Sequence, residues 1–131
     1  MRLPLTLVAA ALALTAMLGG LAAQASENQK FEPAAFVAAQ KAGKSILVHV
    51  TAPWCPTCKA QKPIIDELTA KPELKDLVVF EIDFDTGGAA LKAVNARSQS
   101  TLVTYKGATE TGRSVGDTNK DSVTALVMSA L

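Results

Sequence analysis

A chain of 131 residues with a formal net charge of +1 is sized for one domain. So even a balance of charge does not point to nucleic acid or an anionic surface as a partner. No internal repeat or low-complexity linker divides it.

The first residues carry an export pattern. Arg2 is a minimal positive start, Leu5 to Leu21 is apolar and rich in Ala and Leu, and Ala23-Gln24-Ala25 is an A-x-A cleavage signal. The pattern predicts a signal peptide over residues 1–25 and a mature domain over residues 26–131. The alternative is an uncleaved anchor helix, because the apolar stretch approaches spanning length. Pro4, Gly19, Gly20 and the cleavage signal favour removal. Either way the domain is expected outside the cytoplasm: periplasmic or secreted, or held at the membrane if the leader stays. Disulfides persist there. Removal takes Arg2 away and leaves acidic and basic residues in balance, with no stable membrane insertion expected.

Phe31 to Ala42 is predicted as a helix, with Pro33 near its start and Gly43 as its stop. Ser45 to Thr51 is a nearly continuous apolar run, as in a central strand buried on both faces. Cys55 to Ala70 is predicted as a helix kinked at Pro63. Leu77 to Asp83 is a second strand and Gly88 to Asn95 a short helix. Thr101 to Lys106 and Glu110 to Val115 make a hairpin around Gly107. Thr118 to Leu131 is a last helix, with Val123, Leu126, Val127 and Leu131 on one face and capping residues at Asp117-Thr118-Asn119. The order is αβαβαββα: an α/β domain with a mixed sheet flanked by helices.

Both cysteines lie in Trp54-Cys55-Pro56-Thr57-Cys58-Lys59, just after the apolar strand. At this spacing two thiols fit the first turn of a helix and can close a reversible disulfide. If Cys55 is the N-cap, Pro56 takes the first helical position, where its missing N–H costs nothing. The N–H groups of Thr57 and Cys58 then point at the Cys55 sulfur. They should lower its pKa and make it the attacking thiol, with Cys58 one turn in, more covered, as the resolving thiol. A purely structural disulfide competes, but so small a loop restrains little unfolded-chain entropy. A c-type haem site would need His where Lys59 stands. A structural zinc site needs four ligands, and two cysteines with the lone His49 supply three.

These features resemble the thioredoxin family across nearly all of the mature domain. The resemblance rests on Trp54 to Lys59, Pro63, Glu81-Ile82-Asp83, Ser100-Thr101-Leu102 with Lys106-Gly107, and Val115-Gly116. It implies a thioredoxin-like fold and dithiol–disulfide exchange through a mixed disulfide, with Cys55 attacking and Cys58 resolving. Trp54 would pack beside the disulfide and, with Pro56, Thr57, Gln99 and Ser100, shape the substrate surface. The leader makes the chain look like an exported member.

Three positions depart from the family pattern. His49 stands where a buried acid is usual, and the basic residue that often accompanies that acid is replaced by Val79. An imidazole can move the resolving thiol's proton near neutral pH; the competing reading is a packed core histidine. Ser100 stands where the family has a cis-proline facing the disulfide. Gln99–Ser100 is therefore either trans with a rearranged loop or a strained cis bond. The Pro56-Thr57 dipeptide between the cysteines is the third departure, and it bears on redox poise.

The leading expectation is a thiol–disulfide oxidoreductase. Its candidate catalytic residues are Cys55, Cys58 and His49, it needs no cofactor beyond the Cys55–Cys58 pair, and its partners are cysteine-containing proteins and a redox partner protein. The alternative is a soft-metal carrier for Cu(I) or Zn, with His49 or Ser100 near the two thiolates. A redox-inert interaction module with a structural disulfide is a third reading. Asp83, Asp85, Lys59, Tyr105 and the phenylalanines are read as structural.

Overall fold

The computed structural model describes residue 26 and residues 28–131, so the expected leader lies outside the described residues. Its elements run β1 (Asn28–Lys30), α1 (Pro33–Lys41), β2 (Ser45–Thr51), α2 (Pro56–Thr69), a 3-10 turn (Pro72–Leu74), β3 (Val78–Asp83), α3 (Gly88–Ala93), β4 (Thr101–Lys106), β5 (Thr109–Val115) and α4 (Lys120–Met128). The sheet order is β1-β3-β2-β4-β5. β1, β3 and β2 are parallel; β4 runs antiparallel to β2, and β5 to β4. The α/β sandwich with a mixed sheet is as expected.

β2 lies at the centre, and its alternation organises both faces. Ile46, Val48 and Val50 join Phe31, Phe36, Phe80 and Tyr105 in one core, with α3 residues Ala90 and Leu91 packed against it. Leu47 faces the other way, into a core with Ile65 and Leu68 of α2 and Val123 and Val127 of α4. By the same alternation His49 points toward α2. Val79, opposite Leu47 in the register, is an ordinary member of that second core.

Glycine shapes two turns. Gly43, at φ +69°, ends α1 in the left-handed conformation as expected. Gly107, at φ +57°, turns the β4–β5 hairpin, where a Cβ would lie 3.2 Å from the Gln40 carbonyl oxygen.

The structure corrects the expected element order at its start. β1 precedes the first expected helix, and Asn28-Gln29-Lys30 gives no sequence sign of it, being polar and exposed throughout. The strand is made by pairing Asn28 to Lys30 against Val79 to Glu81, with Asn28 Nδ2 also donating to Glu81 Oε1 at 3.2 Å. A smaller correction concerns Leu131. α4 ends at Met128 and tightens, with Ser129 N–H donating to the carbonyls of both Ala125 and Leu126. The helical phase is lost there, so Leu131 is exposed and Ala130 takes the buried place. Pro63 sits within α2 without ending it. Asn119 caps α4, accepting from the N–H groups of Asp121 and Ser122 at 3.0 Å.

Candidate active site

The cysteines form a disulfide at the N-terminus of α2, with Cα atoms 5.3 Å apart. Cys55 is the N-cap in extended conformation and Pro56 the first helical residue. Cys58 N–H donates to Cys55 Sγ at 3.1 Å. The expected second donor, Thr57 N–H, makes no such bond among the described residues. Burial does not separate the sulfurs, since both cysteines are 2% exposed and pack on Ala52 and Phe84. Their polar surroundings do. Cys55 Sγ faces a fixed N–H, which favours a thiolate. Cys58 Sγ lies 3.9 Å from the Val50 carbonyl oxygen, an acceptor that favours a protonated thiol.

Ser100 faces both sulfurs. The Gln99–Ser100 bond is trans, and Ser100 itself adopts φ +60°, a left-handed backbone uncommon for serine. Three hydrogen bonds to its main chain hold it there. Its N–H donates to Val50 O at 2.8 Å, and its carbonyl accepts from Gly116 N–H at 2.9 Å and from Gln61 Nε2 at 3.1 Å. Its hydroxyl oxygen lies 3.1 Å from Cys55 Sγ and 3.2 Å from Cys58 Sγ. Gln99, beside it, is half-buried, with no side-chain hydrogen bond among the described residues.

Gln61 is a site residue that the sequence reading does not single out. It is fully buried, one turn past Cys58 on the inner face of α2. Its Nε2 donates to the carbonyls of Ser100 and Asp117, the latter at 2.9 Å, and its Oε1 lies 3.1 Å from His49 Nε2. Carbonyl oxygens only accept, so the amide nitrogen must face them and Oε1 must face the imidazole. His49 Nε2 therefore carries the hydrogen, and Nδ1 is the free base of the neutral ring. Burial lowers the His49 pKa from its ordinary value of 6.5. The Gln61 hydrogen bond and the charge of Glu81, its register partner on β3, pull it back upward. A signal for Gln61 is present in the chain: a glutamine at helical spacing with the inward-facing Cys58, Ile65 and Leu68.

A cavity of about 270 Å³ is bordered by both His49 and Cys58, with Lys59, Lys62, Glu81 and Asp83 at its edge. Outside it, Trp54 is 55% exposed, and its indole N–H donates to Asp85 Oδ2 at 2.9 Å. Pro56 is exposed and Thr57 half-buried beside it. Asp83 accepts from the N–H groups of Asp85 and Thr86 and shapes the loop after β3. Among the described residues no three His, Cys, Asp or Glu side chains converge as metal ligands.

A disulfide between an N-cap and the helix turn behind it, set at the end of the central strand, defines a dithiol–disulfide exchange protein. Comparison with known proteins places it further. The sequence model of the Thioredoxin family matches residues 25–129, and the chain belongs to that family. Thioredoxin of Chlamydia trachomatis is 32% identical over 82 residues, 63% of this chain and 78% of that protein. The solved structure of Trxlp from Edwardsiella tarda superposes with a TM-score of 0.74 at 39% identity, covering 77% of this chain and 98% of that one. A mutant thioredoxin from Halobacterium salinarum shares the fold, at 23% identity and a TM-score of 0.68, over 82% of this chain and 93% of that one. The chain is a protein-disulfide oxidoreductase with a Cys55–Cys58 pair.

Proposed function

We propose that this oxidoreductase works outside the cytoplasm, exchanging its pair with cysteines of exported partner proteins and with a redox partner protein. Cys55 forms the mixed disulfide and Cys58 resolves it. The observation that carries this assignment is the Cys58 N–H directed at Cys55 Sγ from the first turn of α2. His49 acts from a distance: its free Nδ1 takes the Cys58 proton through solvent in the cavity both residues border. Trp54, Pro56 and Thr57 supply the docking rim, with Gln99 beside Ser100. The Ala23-Gln24-Ala25 signal supports export.

Trapping tests the roles. Cys58→Ser should accumulate mixed disulfides with partners and Cys55→Ser should not, while Cys55 alkylates faster than Cys58 in the reduced protein. Trapping by the opposite variant, or equal alkylation rates, overturns the assignment. Fractionation of cells expressing the full chain tests the location, with a cytoplasmic, uncleaved product as the contrary result.

A further inference from the structure

We propose that the Ser100 hydroxyl is a catalytic hydrogen-bond donor that follows negative charge from one sulfur to the other during exchange. This rests on the oxidoreductase reading above.

Ser100 is 4% exposed, so its hydroxyl has little access to water. Among the described residues the hydroxyl's only hydrogen-bond partners are the two sulfurs, at nearly equal distances. A buried hydroxyl is normally paired with a good acceptor, and a disulfide sulfur is a poor one. A thiolate is a strong one, and hydrogen bonds to charged groups are about twice as strong as neutral ones. The donor is therefore underused in the oxidised protein and fully used once a sulfur is charged. The bonds to Val50, Gly116 and Gln61 keep the backbone still, so a rotation about χ1 and the C–O bond suffices to change partner. A proline here would offer neither hydroxyl nor N–H.

A substrate thiolate attacks Cys55 Sγ and forms the mixed disulfide. The Cys55–Cys58 bond breaks and its electron pair leaves on Cys58 Sγ, where the Ser100 O–H donates to it. Cys58 then takes from solvent one of the two protons that the substrate thiols release on ionising, and the other stays in solvent. A second substrate thiolate attacks the substrate sulfur of the mixed disulfide, and the pair leaves on Cys55 Sγ. The hydroxyl turns to that thiolate. Two substrate thiols become one disulfide, and the protein disulfide becomes a thiol and a thiolate. The same steps reversed describe reduction of a substrate.

Ser100→Gly is the informative variant, because glycine adopts φ +60° without strain while the hydroxyl is lost. Ser100→Ala removes the hydroxyl and keeps a Cβ. Two measurements are made on the full chain: the pH dependence of Cys55 alkylation in the reduced protein, and the rate of disulfide reduction by dithiothreitol. Losing a hydrogen bond to a thiolate is expected to cut the thiolate fraction below its pKa, and the reduction rate, about tenfold each. Both variants should show it equally, with Ser100→Gly at least as stable as the parent. A Ser100→Gly protein with the parent's alkylation profile and reduction rate overturns the proposal. So does an effect confined to Ser100→Ala, which would mark it as a backbone effect. If the parent itself does not exchange with dithiothreitol, the oxidoreductase reading fails, while the alkylation profiles still decide whether the hydroxyl stabilises the thiolate.

Discussion

On the α1 and α3 side of the sheet, Phe31, Phe36, Phe80 and Tyr105 meet with ring centroids between 5.0 and 5.8 Å apart. On the α2 and α4 side an aliphatic core gives way, toward the end of β2 that feeds the motif, to His49 and Gln61. The first face is apolar and adds stability by burial. The second accepts buried polar atoms because each Gln61 group has a partner, and those partners are parts of the site: Ser100, the loop at Asp117, and His49. The contrast locates function on one face of the sheet and most of the ring packing on the other.

Truncation should separate the two faces. Phe80→Ala opens a cavity in the aromatic core and should cost about 3–5 kcal/mol in chemical denaturation, with little change in the exchange rate of molecules that remain folded. A large loss of exchange rate in that variant would break the division of labour. Gln61→Leu takes the amide partner from the Asp117 carbonyl and from His49, and leaves the Ser100 carbonyl with Gly116 N–H alone. It should cost about 2–4 kcal/mol and also change chemistry. In the parent, nitrogen NMR of the imidazole should report hydrogen on Nε2; in Gln61→Leu the tautomers should mix and the Cys55 alkylation profile should shift. A neutral Gln61→Leu would mean the polar face is no more than packing.

Near neutral pH, acid should act through the second face, where the chain's one histidine lies. The His49 pKa is lowered in the folded state, so the unfolded chain binds the proton more readily. The penalty is absent well above pH 6.5, grows as pH falls through that value, and is complete below the folded pKa. Unfolding free energy measured against pH should show this loss in the parent and lack that component in His49→Gln, which cannot charge. The same variant should lose the pH dependence of the resolution step if Nδ1 takes the Cys58 proton. The smallest effect is expected outside both faces. Asp85→Ala frees the indole N–H of Trp54, so the emission of this single tryptophan should shift while stability changes by no more than about 0.5 kcal/mol. A larger loss would make the Trp54–Asp85 contact part of the fold.

The order of elements from α1 onward is legible because each has its own period or stop: the continuous apolar run of β2, the Cys-Pro start of α2, Gly107 in the hairpin. β1 is not, since three exposed polar residues carry no pattern and the strand exists only by pairing with β3. Within the site, the cysteines and the two departures at His49 and Ser100 stand out by residue type. What joins them does not. Gln61 bonds partners 12, 39 and 56 positions away, distances that no local pattern records. The left-handed turn at Ser100 is equally hidden, because serine rarely marks such a backbone.

The Cys55–Cys58 ring spans a sequence separation of three, so closing it removes little freedom from the unfolded chain. Unfolding instead strips away the α2 terminus, the Val50 carbonyl and the Ser100 hydroxyl. In a thermodynamic cycle, the shift in reduction potential between the native and unfolded pair equals the difference in unfolding free energy between the two redox forms, at about 30 mV for every 1.4 kcal/mol. Two denaturation curves, one under reductant, therefore weigh the electron appetite of the native site with no partner present. A fold firmer when reduced accepts electrons, and one firmer when oxidised donates them. Each group that steadies a thiolate here also tilts that balance toward acceptance.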